Sequence, residues 1–370
     1  MTSARILQLT LHQVRTYEQL TLELAAGTTV LVGANGVGKT NLLEACAVVA
    51  TGSSPRTSSE MRLVREGAAA GRIAATIAIG SNEHERDVVL RVGRGKQLRI
   101  DGAPARSVEE YAAQVPAVTF LPERLLTIRG APQRRRALID QLAARIVPAA
   151  AAAQRDYTAA LQQRNNLLRR AKIGHDVEDQ LAPWTAQLVE LGGALRTHRA
   201  RLLTRLQPSF AERFEQLTSL EHATFDPELR GSGDLAADML ELADSERRRG
   251  STLAGPHLDD ILPRIAGRDV RAYGSAGEQR AALLAFTFAA RDLLVQHAGI
   301  EPIVLLDEPW SELDADRRRR LTRMLAPLAQ VIVTSTEPPT HLAAELPAAR
   351  VLAVSCGQVS QWHAPPDTTD

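Results

Sequence analysis

Gly33-Ala34-Asn35-Gly36-Val37-Gly38-Lys39-Thr40 is the stretch on which the reading of this chain turns. It has the spacing G-x-x-x-x-G-K-[ST], and its flanks suit it. Thr29 to Val32 predicts a buried strand before it, and Thr40 to Cys46 predicts a helix after it. Glycines at 33, 36 and 38 let backbone N–H groups turn inward without Cβ clashes, and the following helix presents its positive end to an anion. Gly33, Ala34, Asn35, Gly36, Val37 and Gly38 are therefore expected to cradle phosphates, with Lys39 as their point-charge partner and Thr40 as a hydroxyl ligand for Mg²⁺. The chain uses arginine almost everywhere for positive charge; its three lysines are Lys39, Lys96 and Lys172, so a compact ammonium is kept where phosphate chemistry needs one.

Two distant segments complete a nucleotide-hydrolysing set. Ile303 to Leu306 is continuously apolar, as in a central parallel strand, and ends in Asp307 and Glu308. Asp307 is placed to serve Mg²⁺, and Glu308 to act as general base on an attacking water. Ser275-Ala276-Gly277-Glu278-Gln279 opens a predicted helix running from Arg280 to Leu294, which Ser275 is placed to cap. Together with Ser311-Glu312-Leu313-Asp314, this order resembles that of the ATP-binding-cassette ATPases. In that class the second turn faces the γ-phosphate held by another protomer. The resemblance implies an ATP-dependent homodimer, with ATP and Mg²⁺ as cofactors, Glu308, Lys39 and Ser275 as the catalytic set, and Ser275, Gly277 and Gln279 as nucleotide contacts.

Composition bounds the alternatives. The 370 residues suffice for two domains, and 44 basic against 43 acidic residues exclude a histone-like, charge-driven binder. Any nucleic-acid site must be a local patch. Two cysteines, Cys46 and Cys356, are too few for a disulfide framework, and polar residues interrupt the N-terminus where a signal peptide would be apolar. The longest apolar stretch, Ala281 to Ala290, is too short to span a bilayer, so the expectation is a cytoplasmic protein with no membrane partner.

Along the chain, residues up to about 125 read as strand-rich. Ile6 to Leu11 alternates, and Gly93-Arg94-Gly95 predicts a hairpin turn between Val88–Val92 and Gln97–Ile100. Residues 126–249 read as a helical lobe. Tyr157, Leu161 and Leu168 on one helix, and Leu181, Trp184, Leu188, Leu191, Leu195 and Leu202 on the next, predict a short antiparallel helical arm with its turn at Lys172–Glu178. The fold class is therefore α/β: a discontinuous ABC-type phosphate-loop ATPase lobe (1–125 and 250–370) with an antiparallel β subdomain, plus the helical lobe. Gln330 to Thr334 predicts another parallel strand. Ser335-Thr336-Glu337 follows where many cassette ATPases carry a switch histidine, and His341 is too far on, so γ-phosphate sensing is expected from Thr334 or Thr336.

The residues also resemble the RecF family of bacterial recombination-mediator ATPases, relatives of the SMC proteins. Gly33 to Ala45 is similar to that family's extended phosphate loop, and Val14-Arg15-Thr16-Tyr17 to its F-R-N-Y element. Ser53-Ser54-Pro55-Arg56-Thr57 resembles its G-R-S-x-R-T segment, with Ser53 in place of arginine. Leu253 to Asp260 resembles its G-P-H-R-D-D motif, with Leu258 in place of arginine. Glu308 stands where the family often has Asp. The resemblance implies a cofactor contact by Arg15 and DNA binding at gapped or single-strand–double-strand junctions. It also implies help in recombinase loading and the SOS response, with RecR- and RecO-type mediator proteins as partners.

Arg134 to Arg136, Arg169-Arg170, the group Arg196, Arg199, Arg201 and Arg205, and Arg247 to Arg249 are candidate phosphate contacts, or else solvated surface. Arg317 to Arg320 are expected at the dimer interface. Two other functions share the core motifs: the ATPase subunit of a membrane transporter, and a non-catalytic ATP-binding scaffold. The Arg15 element, the Gly255-Pro256-His257 motif and the helical insert weigh against the first. Intact Lys39, Asp307 and Glu308 weigh against the second.

Overall fold

The computed structural model describes residues 2–57, 59–336 and 346–362. The chain divides into two compact units, Met1–Arg124 with Gln216–Thr218 and Leu283–Asp370, and Leu125–Glu215 with Ser219–Ala282.

In the first unit, one seven-stranded sheet is mainly antiparallel. Its order runs β12 (Ile300–Glu301), β1 (Thr2–Val14), β4 (Ala70–Ile79), β5 (Asn82–Arg91), β6 (Gly95–Ile100), β7 (Ala103–Pro104), and β2 (Tyr17–Glu23) also pairs with β1. The strict alternation read for Ile6 to Leu11 is broken by a register shift between Ile6 and Gln8, which sets Leu9 and Leu11 on the buried face with Ile6. The hairpin turn at Gly93–Gly95 joins β5 and β6 as the sequence predicts. A second sheet of six strands has the order β16 (Gln358–Gln361), β15 (Arg350–Ser355), β3 (Gly27–Val32), β14 (Gln330–Ser335), β13 (Ile303–Leu306), β8 (Ala117–Phe120); all but β16 run parallel. Helix α1 (Lys39–Thr51) joins the core that both sheets share, and every residue from Leu42 to Ala50 is buried. That is why its sequence is apolar all round rather than striped. The small helices α2 (Val108–Ala113) and α10 (Ala315–Leu325) complete this unit.

The second unit is helical: α3 (Leu125–Arg129), α4 (Pro132–Ile146), α5 (Pro148–Lys172), most of α6 (Glu178–Thr218), α7 (Leu235–Arg249), α8 (Val270–Tyr273) and the first turns of α9 (Ala276–Ala298). Helices α5 and α6 form the predicted antiparallel arm. Leu168 packs with Leu181 near the turn, and Tyr157 with Leu188 and Leu195 further down, with Trp184 in the apolar seam. Two features differ from expectation. A three-stranded sheet, β11 (Arg268–Asp269), β10 (Asp260–Ile265), β9 (Ala223–Glu228), lies in this unit. Residues 250–282 therefore group with the helical lobe and not with the ATPase lobe, because β10 finds its partner in β9.

The arginines of this unit are the larger correction. Arg135 is 1% exposed and binds Asp260 through two bonds of 2.7 Å. Arg199 binds Asp140 at 2.7 and 2.8 Å, and Arg196 binds Asp259 with two bonds of 2.8 Å. Arg164 reaches Glu246 at 2.6 Å, Thr252 at 2.9 Å and Thr185 at 3.0 Å, tying three helices together. These are internal, bidentate or multiply bonded ions. Removing one partner of such a pair typically costs about 3–5 kcal/mol. Arg135, Arg196 and Arg199 are thus framework, not DNA contacts.

The segment Gly255–Asp260 is where this framework converges. Gly255 has φ +127, and a Cβ there would lie 2.6 Å from the Tyr157 hydroxyl. Pro256 O accepts from Arg199 at 2.7 Å. The Tyr157 hydroxyl lies 2.6 Å from His257 Nδ1, and His257 Nε2 is 3.4 Å from Thr252 O. With Nε2 donating to that carbonyl, Nδ1 accepts the tyrosine O–H. Burial, the main cause, pushes the His257 pKa down to about 4, so the ring is neutral in the fold. An unfolded histidine titrates near 6.5. Between those values the unfolded chain binds the extra proton, so stability should be complete above about pH 6.5 and fall toward pH 4, by on the order of 3 kcal/mol. Denaturant melts at pH 7 and pH 5 on the parent and on His257→Asn will check this. The parent should lose more stability on acidification than the variant.

Candidate functional site

The phosphate loop leaves β3 and enters α1 through Gly38, whose φ of +114 is open to glycine. A Cβ at Gly38 would lie 2.6 Å from Thr16 Oγ1 and 3.1 Å from the Tyr17 hydroxyl. That hydroxyl donates to Gly38 O at 3.0 Å, so the β1–β2 turn props the loop from behind. The Lys39 ammonium curls back over the loop, donating to Gly33 O at 2.7 Å and Ala34 O at 3.0 Å, with Glu308 Oε1 at 3.4 Å. Asn35 and Gly36 are exposed at its rim.

Parallel pairing of β3, β14 and β13 brings three chain segments together at their C-terminal ends. Thr40 Oγ1 is 3.0 Å from both oxygens of Asp307, and Thr334 Oγ1 donates to Asp307 Oδ1 at 2.6 Å. The Thr334 oxygen in turn accepts from Glu308 N at 2.9 Å. Burial raises the Asp307 pKa above the ordinary carboxylate value; the bonds from Thr334 and Thr40 oppose that rise. Glu308 itself is held at φ 46, a left-handed conformation rare outside glycine, and accepts from Thr336 N at 3.2 Å. Thr334 is therefore a fixed brace. Of the two threonines read as sensors, it is the fully buried one, and Thr336 stands by Glu308. Glu337 and His341 lie outside the described residues. A hydroxyl and a carboxylate side by side beneath a phosphate loop suit Mg²⁺, a hard ion that takes few protein ligands and keeps waters and phosphate oxygens. Thr40 and Asp307 would hold it, and it would neutralise charge on the phosphates.

Two residues expected as nucleotide contacts have partners within the protein. Arg15, at φ 52 in the β1–β2 turn, binds Glu44 of α1 through contacts of 3.1–3.3 Å. Glu44 also takes Arg56 at 3.3 Å and Ser54 at 2.5 Å. Arg56 continues to Glu123 at 3.2 Å. Sequence reasoning missed Glu44; its signal was a carboxylate inside an otherwise apolar helix. Gln279 is buried, and its amide donates to Val270 O and Gly274 O, both at 3.1 Å, while Arg129 donates to its oxygen. Gln279 shapes the turn before α9 and does not reach outward.

Ser275 heads α9 in a capping box: Glu278 N donates to Ser275 Oγ at 3.2 Å, and Ser275 N to Glu278 Oε2 at 2.7 Å. Ser275 and Ala276 are exposed, and first-turn N–H groups at Ala276 and Gly277 have no helical acceptor. The turn is an exposed helix start, and it belongs to the second unit, whereas the phosphate loop belongs to the first.

Residues 5–355 match the RecF/RecN/SMC N terminal domain family. The chain belongs to the RecF family. Among its relatives, the DNA replication and repair protein RecF of a Synechococcus species is 36% identical over 94% of this chain and 95% of its own length. That of Frankia alni is 34% identical over 95% of this chain and 98% of its own length. Among solved structures, the recombination mediator protein RecF-ATP of the RecFOR pathway superposes with TM-score 0.85 at 24% identity, covering 98% of both chains. The Smc head domain of Pyrococcus furiosus with ScpA gives 0.56 at 19% identity, over 97% and 96%. The ABC-type ATPase fold read from the motifs is thus shared with RecF and SMC heads. RecF membership removes the support for a transporter subunit, and among the described residues no helix is long and apolar enough to cross a membrane.

The brace on Asp307 makes a sharp test of this geometry. Thr334→Val removes a buried donor 2.6 Å from a buried carboxylate. It should cost about 1–3 kcal/mol in denaturant unfolding. Thr334→Ser, which keeps the donor, should stay close to the parent.

Proposed function

We propose that this RecF-family chain is a cytoplasmic Mg-ATP-driven DNA-binding ATPase of replication and recombinational repair. Two copies close over two ATP molecules, Lys39, Thr40, Asp307 and Glu308 of one copy facing Ser275 and the Gly277 N–H of the other. The observation that carries this is the Ser275 turn: an exposed, capped helix start whose free N–H groups present an anion site, built beside no phosphate loop of its own unit. Lys39 would exchange its loop carbonyls for β- and γ-phosphate oxygens. Glu308, kept next to Lys39, would take the proton of the attacking water. Hydrolysis is slow, DNA-stimulated, and resets the clamp. The relatives named for replication and repair support the DNA role; gapped or junction DNA, recombinase loading, the SOS response and RecR- and RecO-type partners are the finer reading.

Sedimentation with a non-hydrolysable ATP analogue tests the closure. The protein should move from monomer to dimer, and a monomer at saturating analogue contradicts the proposal. Glu308→Gln should bind Mg-ATP as the parent does, hydrolyse it roughly 10²–10⁴ more slowly, and accumulate as the dimer with ATP itself. Turnover at the parental rate would remove Glu308 as the base.

A further inference from the structure

The correction to the arginines leaves open where a phosphate backbone would be held. At the tip of the arm the last turn of α5 carries Arg169, Arg170 and Lys172, and the last turn of α7 carries Arg248 and Arg249; all five are exposed. The two helix ends lie together: a Cβ on Gly250, the residue after α7, would be 3.2 Å from Lys172 Cδ and 3.5 Å from Arg169 Cα. The buried Arg164–Glu246 pair, with Thr185 of α6 on the same guanidinium, fixes the two helices just beneath. Three of the acids at the tip are otherwise engaged. Glu178 is taken by Arg247 at 2.6 Å, Asp244 lies 3.6 Å from the same arginine, and Asp176 accepts from Glu178 N at 3.3 Å. Asp179 is exposed beside them.

Cations in a last helical turn are ordinary, since they suit the helix dipole. Five gathered from two helix ends, none with an ion-pair partner among the described residues, repel one another and go beyond that need. We propose that this tip, Arg169, Arg170, Lys172, Arg248 and Arg249, holds the phosphate backbone of duplex DNA. A duplex is favoured over a single strand because the tip is braced and, among the described residues, its exposed surface carries no Phe, Tyr or Trp, only the single ring of His175. Single-strand sites use aromatic rings on which bases stack; Trp184, the nearest on α6, packs into the apolar seam.

The proposal rests on the DNA-binding reading above. The test is fluorescence anisotropy of a labelled duplex across a salt series, with ATP analogue, using the full-length chain and its variant Arg169→Ala/Arg170→Ala/Lys172→Ala/Arg248→Ala/Arg249→Ala. Each phosphate contact contributes about 0.9 to the slope of log K against log salt. Losing three or more should lower the slope by about 3 and the affinity by roughly tenfold or more near physiological salt, with analogue-driven dimerisation intact. A matched triple variant at the β5–β6 hairpin, Arg91→Ala/Arg94→Ala/Arg99→Ala, should keep most of the slope. Parental affinity and slope in the tip variant overturn the proposal and leave the tip to a protein partner. An equal loss on single-stranded DNA overturns the duplex assignment. If the parent itself binds no duplex, the DNA reading fails, which is a separate outcome from failure of the tip.

Discussion

The Asp307 carboxylate is the joint on which the nucleotide site depends. It follows the interior strand β13, yet its bonds go to α1 through Thr40 and to β14 through Thr334. Three segments from distant parts of the sequence are thereby held at one point. Burial leaves the charge costly and raises its pKa; two hydroxyls within 3.0 Å oppose that rise in part. The same Thr334 oxygen fixes the Glu308 backbone, which sits in a left-handed conformation that such residues adopt only when surroundings impose it. Thr40 at the end of the phosphate loop, Asp307 and Glu308 are positioned by one short hydrogen-bonded chain.

The second unit is built on a different principle. Its interior is knitted by guanidinium–carboxylate pairs: Arg135 with Asp260, Arg199 with Asp140, Arg164 with Glu246, Arg196 with Asp259. Such pairs add little net stability over apolar packing but impose geometry, because each ion must meet its partner or remain buried alone. Gly255–Asp260 supplies two of those carboxylates, a backbone acceptor and a neutral histidine. The motif reads as a family resemblance in the sequence, and in the fold it is the keystone of the unit that carries the Ser275 turn.

Much of the ATPase lobe was legible because its signals are local. A glycine-rich loop between strand and helix, an apolar strand ending in Asp307-Glu308, and a capped turn at Ser275 each announce their geometry in a few residues. What stayed hidden depends on partners far along the chain. Nothing near Arg15 in the sequence announces Glu44 beside it, and nothing near Gln279 announces that its amide lies between Val270 O and Gly274 O. The arginines of α5 and α6 carried a signal that composition concealed. Arg164 and Arg199 fall on the same three- and four-residue spacing as Leu161, Leu168, Leu195 and Leu202, the spacing of burial. Strand β9 contains Pro227 and is too short for alternation to betray it, so the grouping of residues 250–282 was illegible without β10 pairing onto it.

The central claim is that each working site takes Lys39 from one chain and Ser275 from another. Mixing two inactive variants measures this directly. Lys39→Met lacks the phosphate-loop cation, and Ser275→Arg blocks the facing turn. A mixed dimer pairs the intact loop of one with the intact turn of the other. The account predicts that ATP turnover, negligible for either variant alone, returns when the two are combined. Turnover in the mixture no greater than the sum of the separate variants would contradict it.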